Sequence, residues 1–211
     1  SNDLEGIISW CGVQAQKKNQ ITRSEVIQFF EDAKQLTKND TIYFCYSGHG
    51  TQVPSDEESD KAREALVFWN GGASTELFYD KELKYFASQL ACSVVVYLDS
   101  CFSGGMSRST NPHTVVYRFT EFDKDIMTLP DEVYTKDITI NKNKQAFMLA
   151  CQEGEYATDL GTNGAFTKGI KEGWAKGKKT VSSIMSVAIK IAKKYQKPKY
   201  ELVNQKRVKL F

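Results

Sequence analysis

The sequence predicts an α/β fold with a mostly parallel central sheet and helices on both faces. Three short apolar runs, at residues 41–46, 94–98 and 146–150, have the length of strands and lack polar alternation. Such runs are typical of strands that are buried on both faces, as in parallel sheets. The first two are joined by a helical segment, as parallel neighbours require. A further short strand is predicted at 65–69, and residues 208–211 predict a last edge strand.

Four segments carry helical signals. Thr22 and Glu25 have the spacing of a capping box, and apolar residues follow at helical spacing as far as Leu36. Asp80 is predicted to cap a second helix, residues 165–174 form a third, and an amphipathic helix begins near Thr180. The lysine-rich stretch at 190–199 is interpreted as mainly the polar face of this last helix.

Composition limits the possible functions. The chain has 211 residues, and its 28 basic and 26 acidic side chains give a net charge of +2, which does not suggest a nucleic-acid partner. No apolar run approaches the roughly 20 residues that cross a bilayer, so no membrane partner is expected. The five cysteines form no CxxC pair, which favours a reducing compartment and predicts a cytoplasmic protein.

Two of the apolar strands end in glycine-flanked polar residues that carry chemistry. His49 lies in Ser-Gly-His-Gly after the first strand, and Cys101 lies in Asp-Ser-Cys-Phe-Ser-Gly after the second. Parallel neighbours would bring both residues to one sheet edge, where an imidazole can activate a thiol as a nucleophile. The N–H groups near Gly50 and of Cys101 are then expected to face a developing oxyanion. A lone histidine and a lone cysteine are, however, more often structural residues.

The stretches from Tyr46 to Gly50 and from Asp99 to Gly104 resemble the two catalytic motifs of metacaspases, which belong to the caspase-like cysteine proteases. A third block, residues 150–157 followed by 164–167, is similar to the start of the small-subunit part of that family. The resemblance implies a caspase-like three-layer sandwich and a cysteine endopeptidase with a His49–Cys101 dyad. The caspase signature Gln-Ala-Cys-x-Gly is absent, which sets the chain apart from the caspases proper.

The resemblance also implies substrate specificity. The positions of the acidic metacaspase pocket for the residue before the scissile bond correspond to Asp3, Ser47 and Asp99. A carboxylate two residues before the nucleophile suits a guanidinium or ammonium group, so cleavage after Arg or Lys is expected, not cleavage after Asp. The alternative for Asp99 is a structural role as the cap of a helix that follows Cys101.

No cofactor is predicted. Many metacaspases use calcium, but Arg108 and Lys81 stand where the family has acidic residues, and cations oppose calcium binding. The acidic run at 55–60 could still bind calcium by another arrangement, although such runs are usually solvated surface.

The chain is predicted to be one monomeric caspase-like domain. It divides into a large-subunit-like part at 1–108, a linker-like excursion at 109–143 that offers sites for self-processing, and a small-subunit-like part at 144–211. The expected partners are protein or peptide substrates with a basic residue before the cleaved bond.

Two alternatives to the protease remain open. Phe102, where metacaspases commonly have His, and the lack of the family's opening strand before Asp3 keep open a catalytically silent scaffold that binds peptides or partner proteins. A cysteine hydrolase acting on a non-peptide acyl group is the other alternative.

Overall fold

The structure is a computed structural model of the chain. It describes residues 18–54, 62–70, 75–100, 116–117, 127–128, 143–152, 156–160, 163–206 and 208–210. The helices are α1 (Arg23–Asp32), α2 (Asp80–Ser88), α3 (Ala165–Ala175) and α4 (Val181–Ala192), and a short 3-10 helix (Ala33–Gln35) follows α1. The strands are β1 (Thr41–Ser47), β2 (Gly50–Pro54), β3 (Ala62–Trp69), β4 (Thr75–Tyr79), β5 (Ser93–Asp99), β6 (Val116–Tyr117), β7 (Met127–Thr128), β8 (Gln145–Leu149), β9 (Thr158–Asp159) and β10 (Lys199–Val203).

The central sheet has four strands in the order β1-β5-β8-β10 among the described residues. β1, β5 and β8 are parallel, and β10 closes the order antiparallel to β8. β5 is buried along nearly its whole length because it lies between two strands and beneath helices on both faces. This mostly parallel sheet confirms the predicted fold class.

Helices cover both faces of the sheet. On one face, Phe29 and Phe30 of α1 pack against Phe44 of β1, and Phe30 stacks on Phe86 of α2 with ring centroids 5.7 Å apart. On the other face, the Phe166 ring of α3 stacks on Tyr97 of β5 at 5.1 Å. These aromatic contacts fix the layers because each ring buries a large apolar surface.

α3 and α4 pack in close contact on the second face. A Cβ atom added at Gly169 would lie 2.6 Å from the Cα atom of Ala188, and one added at Gly173 would lie 3.3 Å from that of Ile184. The two glycines are one helical turn apart, so they form a groove into which the backbone of α4 fits.

Local signals set the helix starts. Glu25 N–H donates to the Thr22 hydroxyl at 3.3 Å, and the Glu25 carboxylate accepts the Thr22 N–H at 2.9 Å, which confirms the capping box of α1. Thr180 caps α4 through the N–H of Ser183, which confirms the predicted start of this helix near Thr180. The prediction for Asp80 was wrong: the cap of α2 is Tyr79, whose N–H donates to Glu82 at 2.8 Å, and Asp80 is the first helical residue.

A second four-stranded sheet, β2-β3-β4-β7, extends from the carboxyl end of β1. Its strands β2 and β4 were not predicted, and β3 begins earlier than the predicted 65–69 strand. Antiparallel pairing with β3 forms both missed strands, since neither contains a long apolar run of its own.

Three other expectations differ from the structure. The predicted edge strand at 208–211 is wrong for the central sheet: the edge strand is β10, and Lys209 makes one isolated bridge to Thr180. The interpretation of the 190–199 stretch as mainly the polar face of a helix was also wrong: of its five lysines only Lys190 lies in α4, which ends at Ala192, and Lys199 lies in β10. β1 is fully buried on one face only; Tyr43 and Cys45 on its other face are half-buried.

Within the predicted 109–143 excursion, the structure describes β6, which pairs with β9, and β7, which pairs with β4. Both strands have two residues. Of the helices that the structure describes, none combines the length and apolar character needed to cross a membrane.

Candidate active site

The carboxyl ends of β1 and β5 lie side by side. Ser47 is the register partner of Asp99, and the Gly48 N–H donates to the Asp99 carbonyl at 3.4 Å. His49 follows Ser47 by two residues, just as Cys101 follows Asp99 by two residues in the sequence. The two motifs therefore leave neighbouring strands at one sheet edge, which is where α/β folds build their sites.

A tyrosine hydroxyl contacts the backbone carbonyl of His49. The Tyr46 Oη atom lies 2.9 Å from the His49 carbonyl and 2.8 Å from the Val67 carbonyl, and its one proton serves either acceptor. The Val67 N–H also donates to the His49 carbonyl at 3.1 Å. With its backbone fixed, His49 presents an exposed side chain at the sheet edge, accessible to a substrate.

Gly48 permits the close approach between this loop and the tyrosine. A Cβ atom at position 48 would lie 2.5 Å from Tyr46 Oη and 2.7 Å from its Cζ. These separations are far below van der Waals contact, so only glycine fits without movement of the ring. The Tyr46 ring is itself packed edge-on against Phe68, with centroids 5.2 Å apart.

The geometry of β2 directs the Gly50 N–H away from β3. Bonded and non-bonded pairs alternate in an antiparallel ladder. Because Val67 donates to His49, the next pair, Gly50 with Leu66, is of the non-bonded kind. β2 lies at the end of its sheet among the described strands, so this N–H points out of the ladder.

Asp99 is fully buried at the end of β5. Its Oδ2 atom accepts a hydrogen bond from the Thr167 hydroxyl, and a Cβ atom at Gly164 would clash with the same oxygen. Gly164 precedes α3, so the carboxylate sits at the amino end of that helix, where the helix dipole favours negative charge. Tyr97, two residues earlier on the same face of β5, lies within hydrogen-bond distance of the Thr167 hydroxyl.

The structure brings some of the predicted site residues together. Ser47, Asp99, His49 and Gly50 share one end of the molecule, with Ser47 half-buried and adjacent to Asp99. Asp3 and Cys101 lie outside the described residues, so their proposed roles rest on the sequence.

Within the described part of the chain, no group of three or more His, Cys, Asp or Glu side chains is arranged to hold a metal ion. Asp80, next to Lys81, forms an ion pair within the protein: its Oδ2 atom accepts a hydrogen bond from Lys84 Nζ at 3.2 Å. The acidic run at 55–60 falls outside the described residues.

No role was predicted from the sequence for Tyr46, Gly164 or Thr167. All three lie inside motifs that the sequence analysis singled out: Tyr46 opens the histidine motif, and Gly164 and Thr167 belong to the third block. Their identity as motif residues was the available signal. What they contact depends on tertiary structure, since Thr167 is 68 residues from Asp99.

Comparisons with known proteins agree with this architecture. Protein GSU0716 from Geobacter sulfurreducens has a similar structure, with a TM-score of 0.74 at 23% identity over 97% of this chain and 83% of its own. Caspase-1 from Spodoptera frugiperda superposes with a TM-score of 0.60 at 8% identity over 99% of this chain and 79% of its own. At these identities the likeness shows the fold alone. A search of curated proteins found no match. The model of the caspase domain, a peptidase family, matches residues 1–209, and the chain therefore belongs to the caspase domain family.

Proposed function

We propose that the chain is a cysteine endopeptidase of metacaspase type that cleaves peptide bonds after Arg or Lys. The observation that carries the proposal is the register of β1 and β5, in which Ser47 pairs with Asp99. This register makes the histidine and cysteine motifs leave the sheet at adjacent points. Membership of a peptidase family supports protein substrates.

In the proposed reaction the Cys101 thiolate attacks the scissile carbonyl carbon. A C–S bond forms, and the carbonyl electron pair moves to oxygen, where the N–H groups of Gly50 and Cys101 stabilise the negative charge. When the tetrahedral intermediate collapses, the C–N bond breaks and protonated His49 gives its proton to the departing amine. His49 then takes a proton from a water molecule whose oxygen attacks the thioester carbonyl carbon. The C–S bond breaks, the acid product leaves, and the Cys101 thiolate and protonated His49 are restored.

The basic side chain before the scissile bond is proposed to bind at Asp99, with Asp3 and Ser47 as further contacts. A buried carboxylate attracts a cation strongly because water screens the interaction little. A guanidinium group can also make two parallel hydrogen bonds to a carboxylate, which suits Arg. Of the two proposed pocket carboxylates, that of Asp99 lies within the described residues.

The division of the chain also remains a proposal. Residues 1–108 and 144–211 would form the two parts of one monomeric domain, and the basic residues between them, such as Arg118 and Lys124, would be sites of self-cleavage.

A peptide assay tests the proposed function. The protein is incubated with fluorogenic peptides that end in Arg, Lys or Asp, with and without calcium, beside Cys101→Ala and His49→Ala. Turnover of the Arg and Lys peptides that both substitutions abolish is expected. Preference for Asp peptides would contradict the proposed pocket. Absence of turnover under all conditions, also after limited proteolysis of the protein, would favour the silent scaffold.

A further inference from the structure

Two hydroxyl groups form a chain that ends on the Asp99 carboxylate. The Thr167 hydroxyl donates its only proton to Asp99 Oδ2, so the contact between Tyr97 and Thr167 must use the tyrosine proton. The order of donation is therefore Tyr97 to Thr167 to Asp99. All three residues are fully buried.

A buried carboxylate needs such donors. Removing an ionised carboxyl group from water is costly unless hydrogen bonds replace its hydration. Thr167 supplies one of these bonds, and the amino end of α3 supplies a favourable dipole. The Tyr97 hydroxyl in turn donates to Thr167, which favours the rotamer in which the threonine proton is directed at Asp99.

We propose that Thr167 is a positioning residue for substrate recognition, whose hydroxyl orients the Asp99 carboxylate toward the basic side chain of the substrate. Tyr97 acts one step further away by orienting Thr167. This inference rests on the proposed function, because it assigns a purpose to the hydroxyl chain only if Asp99 receives an Arg or Lys side chain.

α3 is also held by contacts that use no hydroxyl group. Phe166 stacks on the Tyr97 ring of the sheet, and Gly169 brings α3 against α4. Besides Tyr97, the described partner of the Thr167 hydroxyl is the Asp99 carboxylate. This carboxylate lies at the same sheet edge as the His49 motif, which favours a role in recognising charge.

The experiment compares Thr167→Val, which keeps the shape and removes the hydroxyl, with Thr167→Ser, which keeps the hydroxyl. Tyr97→Phe removes the second hydroxyl. Tyr43→Phe is its matched control, since Tyr43 lies near the amino end of β1, away from Asp99, and its hydroxyl donates to the Leu210 carbonyl. Each variant is assayed with peptides ending in Arg and in citrulline, the uncharged analogue of Arg. Thermal unfolding is measured in parallel.

Thr167→Val is expected to raise KM for the Arg peptide by about tenfold to a hundredfold, the range for a lost hydrogen bond to a charged group. Its kcat and its turnover of the citrulline peptide should change by less than about threefold. Thr167→Ser should restore the wild-type KM, Tyr97→Phe should raise KM less than Thr167→Val does, and Tyr43→Phe should leave it unchanged.

Three results would overturn the inference. The first is an unchanged KM for Arg in folded Thr167→Val, and the second is an equal loss for the Arg and citrulline peptides, which would make the role purely structural. If Thr167→Val does not fold, Tyr97→Phe decides by the same comparison. The third is a wild-type protein without turnover of basic peptides. That result refutes the proposed function itself, and it differs from a failure of the inference alone, in which the wild-type protein is active.

Discussion

The contact between Gly48 and Tyr46 gives the most direct test of how the structure positions His49. In Gly48→Ala, the new Cβ atom would lie 2.5 Å from Tyr46 Oη, 2.7 Å from Cζ and 3.2 Å from Cε1. Ordinary carbon contacts are about 3.5–4.0 Å, so the ring or the loop must move by about 1 Å. The ring is held by Phe68 and by its hydrogen bonds, and hence we expect the loop that carries His49 to move.

The expected loss of stability in Gly48→Ala has two sources, an overpacked tyrosine ring and a lost hydrogen bond. Overpacking of a buried site costs about 1–3 kcal/mol, and loss of one hydroxyl bond adds about 1 kcal/mol. The free energy of unfolding should therefore fall by about 2–4 kcal/mol. For a chain of this size, that corresponds to a Tm about 4–16 °C lower. A displacement of about 1 Å in a catalytic group can cost about a hundredfold in rate, so kcat for Arg peptides should fall by about this factor.

A double-mutant cycle separates this mechanism from a general effect of alanine. In a Tyr46→Leu background the ring is gone, so adding Gly48→Ala should cost at least 1 kcal/mol less than in the wild-type protein. Gly177→Ala is the control: Gly177 has φ of +71° and nothing within 4 Å of a Cβ, so this change should lower stability without affecting kcat. Equal costs of Gly48→Ala in both backgrounds, or wild-type activity of Gly48→Ala, would refute the reasoning.

Three further predictions concern stability. Gly169→Ala should lower Tm by more than 5 °C in thermal unfolding, because its Cβ would meet the Ala188 backbone at 2.6 Å; an unchanged Tm would show that α3 and α4 separate freely. Hydrogen bonds to Lys18 and to the Thr22 N–H lower the pKa of Glu25 to about 2, so the stabilising effect of its charge is lost as the pH falls from 4.5 to 2. In Glu25→Gln, the denaturation midpoint should therefore change less over this pH range than in the wild-type protein. Identical pH profiles of the two proteins would contradict the assignment. Burial raises the pKa of Glu82 despite its pairing with Arg23, so the unfolded chain releases this proton at a lower pH than the folded chain does. The free energy of unfolding should therefore fall as the pH rises from about 4.5 toward the folded pKa. Glu82→Gln should remove this slope in urea titrations, and a slope that persists in the variant would assign it to another group.

The elements that were predicted correctly are those whose signals are local. The capping box at Thr22 fixed the start of α1, and the unbroken apolar run at 94–98 identified β5 as a central strand. In both cases neighbouring residues contain the whole signal: a hydroxyl and a carboxylate three positions apart, or a run too apolar to face water.

β10 shows why other elements were missed. Its sequence, Lys-Tyr-Glu-Leu-Val, follows a lysine-rich helix end and resembles a polar tail. It becomes a strand because β8 offers a free edge with which it pairs antiparallel from Lys199 to Val203. This pairing is a tertiary effect that no local propensity encodes. The same reason explains why the contact between Thr167 and Asp99 could not be foreseen.

The candidate site combines residues from both sides of the predicted 109–143 excursion. The turn after β1 supplies His49, β5 supplies Asp99, and α3, far along the chain, supplies Thr167. β5 also pairs with β8 in parallel from Val94 to Leu98, so the two parts of the chain share one sheet. The sheet pairing and the buried hydrogen bond to Asp99 do not depend on a continuous chain between them. A cut within 109–143 would therefore leave the Asp99 carboxylate held by the same contacts, as the proposed self-processing requires of the proposed active site.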